Sequence, residues 1–83
     1  MTSYEDKISL ETDKLTMTYE WDGAGNLIYI GESYGALKSE AKWRIKNLIW
    51  DGEGNLIDVQ WARTDGKILF NKVWNNRTSY SYS

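Results

Sequence analysis

Seven carboxylates, Glu20, Asp22, Glu32, Asp51, Glu53, Asp58 and Asp65, are the residues of this chain whose type suits acid-base work. Two of them in a cleft could hydrolyse a glycoside, one as acid and the other as base or nucleophile. No spacing among them separates such a pair from a solvated face, and no nucleophile falls beside a base. Asp51, Glu53 and Asn55 stand at i, i+2 and i+4, as alternate oxygens do in the first half of a Ca²⁺ loop. However, Leu56 occupies the position that needs Gly, Ala62 the one that needs a bidentate Glu, and Ala24 replaces the middle acid in the related stretch 22–26. Gly23-Ala24-Gly25 and Gly52-Glu53-Gly54 invite comparison with phosphate-cradling loops, which need a third Gly and a following helix. A β-rich run follows here instead. Asn76-Arg77-Thr78 is a glycosylation sequon that has meaning only on an exported chain. The expectation is a protein with no catalytic, cofactor-binding or metal-binding residues, and not an enzyme.

What must be positioned is therefore a turn. Trp21-Asp22-Gly23-Ala24-Gly25-Asn26-Leu27-Ile28 returns as Trp50-Asp51-Gly52-Glu53-Gly54-Asn55-Leu56-Ile57. Each copy lies between an aromatic-ended run and an aliphatic run, the pattern of a hairpin with a short Gly-bearing loop. Asp22 and Asp51 open the turn, Gly25 and Gly54 take its left-handed position, and Asn26 and Asn55 pair back across it. Leu15 to Trp21 alternates with period 2, so a half-buried strand is expected there. Carrying the pairing down regularly sets Trp21 against Leu27, Tyr19 against Tyr29 and Met17 against Gly31. One face then holds Leu15, Met17, Tyr19, Trp21, Leu27 and Tyr29. In the second hairpin the same rule pairs Ile49 with Ile57, Asn47 with Val59 and Ile45 with Trp61. Its apolar face would be Trp43, Ile45, Ile49, Ile57, Val59 and Trp61, with Trp50 on the polar side.

The remaining segments are read more briefly. Residues 1–6 are a polar lead-in, and Lys7 to Glu11 alternates weakly as an edge strand. Gly31 to Ser39 is a connection. Ala36 to Lys46 has residues that suit a helix, but the alternation of Trp43, Ile45, Asn47 and Ile49 favours a strand from Lys42. Arg63-Thr64-Asp65-Gly66 reads as a hairpin turn followed by a short strand, Lys67 to Phe70. Asn71 to Asn76 is one helical turn or an irregular corner, and residues 78–83 are an edge strand or a tail ordered by a partner. The fold class expected is all-β: a small antiparallel sheet, sandwich or open barrel, in one domain spanning 1–83.

Composition narrows function further. With no Cys and no His, disulfides, thiolate or imidazole metal sites and His-based triads are excluded. Ten basic against twelve acidic residues, without a basic stripe, disfavour nucleic acid as a partner. No stretch approaches membrane-spanning length, and Met1 to Leu10 lacks an apolar signal region, so a cytosolically made, unexported chain is expected. Five Trp and six Tyr are the strong deviation. Trp21, Tyr29, Trp43, Trp61 and Phe70 are the economical core, because a chain of 83 residues buries only about 60–65% of its unfolded surface and needs large side chains to do it. Tyr4, Tyr34, Trp50, Trp74, Tyr80 and Tyr82 fall in loops or off-phase positions. Of these, Trp50, Trp74, Tyr34, Tyr80 and Tyr82 are the candidate partner-binding residues. A sugar-stacking platform is the rival use of the same side chains.

Two resemblances enter through these residues. The unit Trp-Asp-Gly-x-Gly-Asn-Leu is similar to the Tyr-Asp-x-x-Gly-Asn-Leu turn of YD-repeat (RHS-type) shell proteins. Over about half of the chain, Trp43-Arg44-Ile45, Trp50 to Asn55, Trp61-Ala62, Asp65-Gly66, Phe70, Val73-Trp74 and Asn76-Arg77 with the Ser/Tyr-rich end resemble a group of small proteins encoded in tailed-bacteriophage genomes. Trp50 stands where those proteins more often carry Tyr. The resemblance implies a phage setting and brings no catalytic residues. The leading expectation is a minor structural component of head, neck or tail, located in the virion or host cytoplasm, that docks on other virion proteins through exposed aromatics and self-associates by edge strands. An inhibitor of a host protein and a carbohydrate-binding module are the alternatives.

Overall fold

The computed structural model describes residues 15–83; the lead-in and the strand expected at 7–11 lie outside them. The fold is all-β. Strands β1 (Thr16–Trp21), β2 (Leu27–Ser33), β3 (Ala41–Trp50) and β4 (Leu56–Trp61) form an antiparallel sheet in sequence order. A two-residue strand β5 (Lys72–Val73) pairs with the first part of β3, and a 3-10 helix over Trp74–Ser79 follows it. The sheet stays open and is not closed into a barrel.

Both repeat copies make the same turn. Gly25 and Gly54 have φ of 90° and 86°, the left-handed region that glycine enters without a Cβ penalty. Asp22 Oδ1 accepts from the backbone N–H groups of Ala24 and Asn26, and Asp51 Oδ1 accepts from those of Glu53 and Asn55, each at 2.8–2.9 Å. The backbone N–H of Asp22 donates to Asn26 O, and that of Asp51 to Asn55 O. The carboxylates are thus spent on closing their own loops.

Past the turn the expected register fails in both hairpins at the same place. Trp21 pairs with Leu27, but Glu20 pairs with Tyr29, leaving Ile28 as the extra residue of a bulge. Trp50 pairs with Leu56, but Ile49 pairs with Asp58, leaving Ile57 extra. A slip of one residue exchanges every cross-strand neighbour beyond it. Tyr19 therefore faces Ile30 rather than Tyr29, and Val59 faces Leu48 rather than Asn47.

The bulges sort the sheet into an inner and an outer face. The inner face carries Thr18 and Glu20 from β1, Tyr29, Gly31 and Ser33 from β2, and Trp43, Ile45, Asn47 and Ile49 from β3. The C-terminal segment lies over it. Trp74 packs on Trp43 with ring centroids 6.3 Å apart, and Tyr82 packs on Tyr29 at 5.7 Å. Trp43, Ile45, Ala62 and Trp74 are the buried apolar residues of this core. Gly31 admits the Trp74 ring: a Cβ there would lie 2.6 Å from Trp74 Cε3.

Other expectations need correction. The residues 67–70 form no strand; Thr64 and Lys67 close a two-residue turn in which Asp65 and Gly66 have φ of 52° and 78°, the signature of a type I′ hairpin turn. The tail is an edge pairing only at its end, where Ser83 and Trp61 exchange backbone hydrogen bonds of 3.0 and 3.1 Å. Trp21, expected in the core, is 59% exposed.

Candidate docking surface

The outer face is where the structure leaves apolar side chains in water. Strand alternation places Met17, Tyr19 and Trp21 of β1 on it, with Ile30 and Glu32 of β2, Arg44, Lys46, Leu48 and Trp50 of β3, and Leu56, Val59 and Trp61 of β4. Near the two turns it is wholly apolar. Trp21 sits against Leu27 and Trp50 against Leu56, and the Trp50 indole Nε1–H donates to Leu27 O at 2.7 Å, tying the second hairpin to the first. Met17, Tyr19, Leu56 and Val59 are all exposed.

At the opposite end the face is charged and its charged groups are in mutual contact. The Glu32 carboxylate, itself buried, pairs with the Arg44 guanidinium and lies 3.7 Å from Lys46 Nζ. Arg44 also stands over the rings of Phe70 and Trp61, at 4.7 and 5.6 Å, and Lys46 over Trp61 at 5.1 Å. These cations are held by one carboxylate and by aromatic faces, an arrangement that fixes their position and leaves the cluster net positive.

The five residues expected to meet a partner have separate fates. Trp50 is on the outer face, half-buried by its neighbours. Tyr34 is exposed in the connection after β2, where its ring lies 5.3 Å from that of Phe70. Trp74 is a core residue, which corrects its expected exposure: the 3-10 helix places it over Gly31, and Arg77 caps its other side at 4.6 Å while reaching Glu20 of β1. Tyr80 and Tyr82 are half-buried with it. The Tyr80 hydroxyl accepts from Val73 N–H, and the Tyr82 hydroxyl donates to Arg77 O. Burial holds the Tyr82 phenol protonated well above the usual tyrosine range, reinforced by the neighbouring Tyr29 and Tyr80. These three aromatics cover the inner face and belong to the fold.

Met17, Tyr19, Trp21 and Val59 are outer-face residues that sequence reasoning set on the more apolar side of their hairpins, whereas Leu56 lies with Trp50, on the side where the sequence places both. The signal was in the repeat: two identical turns followed by Leu-Ile bulge in the same way, so their Trp residues must share a face. Among the described residues no group of three carboxylates converges on a cation position, and no helix is long and apolar enough to cross a membrane.

The arrangement defines a class only, a single antiparallel sheet with one face covered by its own C-terminal segment. No protein-family model matches the chain, and no match was found among curated proteins or solved structures.

Proposed function

We propose that this chain is a non-catalytic docking protein of a tailed bacteriophage, a minor component of head, neck or tail that binds other virion proteins. The phage setting rests on the resemblance carried by Trp43 to Ile45, Trp50 to Asn55 and Trp61-Ala62. The docking role rests on one observation, the outer face with Trp21 59% and Tyr19 50% exposed on β1, exposed Leu56 and Val59 on β4, and Leu27, Ile30, Leu48 and Trp50 on the two strands between them. A contiguous apolar surface of this kind on a small domain marks an interaction site. Its charged groups Glu32, Arg44 and Lys46 are engaged with one another and with aromatic rings rather than set around the exposed Trp21 and Tyr19, where a sugar platform needs convergent polar groups.

Mass spectrometry of purified particles tests the reading. The chain should be present at a fixed copy number per particle and remain after a high-salt wash, since the contact is apolar. Its presence in infected cells but absence from particles would instead favour the host-inhibitor reading.

A further inference from the structure

Asp-Gly occurs three times, as Asp22-Gly23, Asp51-Gly52 and Asp65-Gly66, each time in a turn. The dipeptide has a chemistry of its own, because a glycine nitrogen approaches the preceding side-chain carbon without a Cβ in the way. We propose that Asp65 is a site of spontaneous covalent modification, passing through a cyclic imide to isoaspartate in the folded protein, while the fold protects Asp22 and Asp51.

The Gly66 nitrogen attacks Asp65 Cγ. The N–Cγ bond forms, the Cγ–OH bond breaks, and the hydroxyl leaves with the amide proton as water. A second water then opens the five-membered imide. Attack at Cγ restores aspartate, whereas attack at the main-chain carbonyl breaks its bond to the Gly66 nitrogen, frees an α-carboxylate and leaves the chain running through Cβ and Cγ. One water is lost and one regained, so no oxidant, reductant or co-reactant is required.

What separates the three sites is how each carboxyl is held. Asp22 Oδ1 accepts from the N–H groups of Ala24 and Asn26, and Oδ2 from Asn26 Nδ2. Asp51 is braced in the same way by Glu53 and Asn55. Swinging either carboxyl onto the next nitrogen breaks these bonds, and the Asn26 and Asn55 N–H groups also keep the two acids ionised, whereas the hydroxyl departs only from a protonated carboxyl. Among the described residues no donor reaches the Asp65 carboxylate, the Gly66 N–H donates to no acceptor, and both residues are exposed. A side chain at Gly66 would meet nothing within 4 Å. Asp65 also has a φ of 52°, in the left-handed region that penalises a Cβ, and a backbone rerouted through Cβ releases that strain. Ring closure turns the Asp65 Cα–C bond, which a loop closed by the Thr64 and Lys67 backbone undergoes more readily than a loop braced by its own carboxylate.

The position matters to the fold. Arg63 donates to Gly66 O and to Ser83 O, and Thr64 Oγ1 accepts from Lys72 Nζ. An extra backbone carbon at 65 falls among the contacts that seat the C-terminal segment.

The test holds the full chain, folded, at about pH 5 for several weeks in water labelled with heavy oxygen. The three Asp-Gly peptides are then assayed by mass spectrometry and by isoaspartyl methyltransferase. Isoaspartate is expected at residue 65 at least about tenfold faster than at 22 or 51, the factor that one hydrogen bond to a carboxylate supplies. Its peptide should carry the label, since water opens the imide. In urea the three sites should react at similar rates, because the unfolded chain keeps only the shared dipeptide. Conversion at 22 or 51 as fast as at 65 in the folded chain overturns the inference, and so does an Asp65 peptide that stays unlabelled. The same preference for 65 in urea would also overturn it, by assigning the selectivity to neighbouring sequence and not to the fold. None of these outcomes bears on the docking role.

Discussion

Gly31 and Trp74 are in mutual contact through the absence of a side chain: a Cβ on Gly31 would stand 2.6 Å from Trp74 Cε3, 2.9 Å from Cζ3 and 2.9 Å from Thr18 Cγ2. The C-terminal segment reaches the sheet through that gap. Because Arg77 is anchored on Glu20 and the Trp74 ring lies between, neither wall moves cheaply. Gly31→Ala should therefore destabilise the protein by about 1–3 kcal/mol through overpacking. Gly52→Ala, where a Cβ meets nothing within 4 Å, should stay within about 0.5 kcal/mol of the parent. Urea unfolding midpoints of the two variants check the contrast, and equal midpoints would remove the argument.

The left-handed glycines give a second contrast. At Gly54, φ is 86° with open space around the Cα, so the cost of a side chain is backbone strain alone. Gly54→Ala should lose roughly 1–2 kcal/mol. Gly54→Asn should lose less, since asparagine enters this region more readily. Thermal unfolding of the pair measures the difference, and an alanine variant as stable as the asparagine one would contradict it.

Acid should loosen the hairpins first. The backbone N–H of Asn26 holds the Asp22 carboxyl below the usual carboxylate range, and that of Asn55 does the same for Asp51. Their folded pKa values are depressed, so the contribution is present above the ordinary aspartate value near 3.9 and is lost as pH falls through the depressed ones. Stability followed by urea unfolding between about pH 6 and pH 2 should drop across that window. The Asp22→Asn, Asp51→Asn double variant keeps an acceptor in each turn and should show a shallower acid limb; an unchanged limb would assign the acid response to other carboxylates.

The alkaline limb has the opposite sign and a different owner. The Tyr82 phenol is raised by burial against Tyr29 and Tyr80. A phenol raised in the folded state contributes fully below its unfolded pKa near 10 and progressively less above it, because the unfolded chain ionises first. Stability should fall above about pH 10 in the parent. Tyr82→Phe should lose about 1 kcal/mol at neutral pH, the hydrogen bond to Arg77 O, and show a weaker alkaline decline. The crossing of the two stability curves at high pH is the measurement that decides it.

The sequence by itself determined the local chemistry. Asp22, Gly25 and Asn26, and Asp51, Gly54 and Asn55, specify their turns because each requirement is met within five residues: an acceptor for loop N–H groups, a left-handed backbone and a closing pair. The all-β class followed from period-2 alternation, and the strand Ala41–Trp50 from Trp43, Ile45 and Ile49 against Lys42, Arg44 and Lys46. Only the tertiary structure decided which face is inside. The bulges at Ile28 and Ile57 are single extra residues that alternation alone does not register, yet each reverses the pairing for the rest of its hairpin. Burial was then assigned by what lay opposite: the C-terminal Trp74, Tyr80 and Tyr82 fold back onto the side with Gly31, where there is room for an indole. That choice buries Thr18 and Glu20 more deeply than their neighbours Met17 and Tyr19. It leaves Trp21, Tyr19 and Val59 facing outward, since hydrophobicity sets how strongly a face seeks cover and long-range packing sets which face receives it.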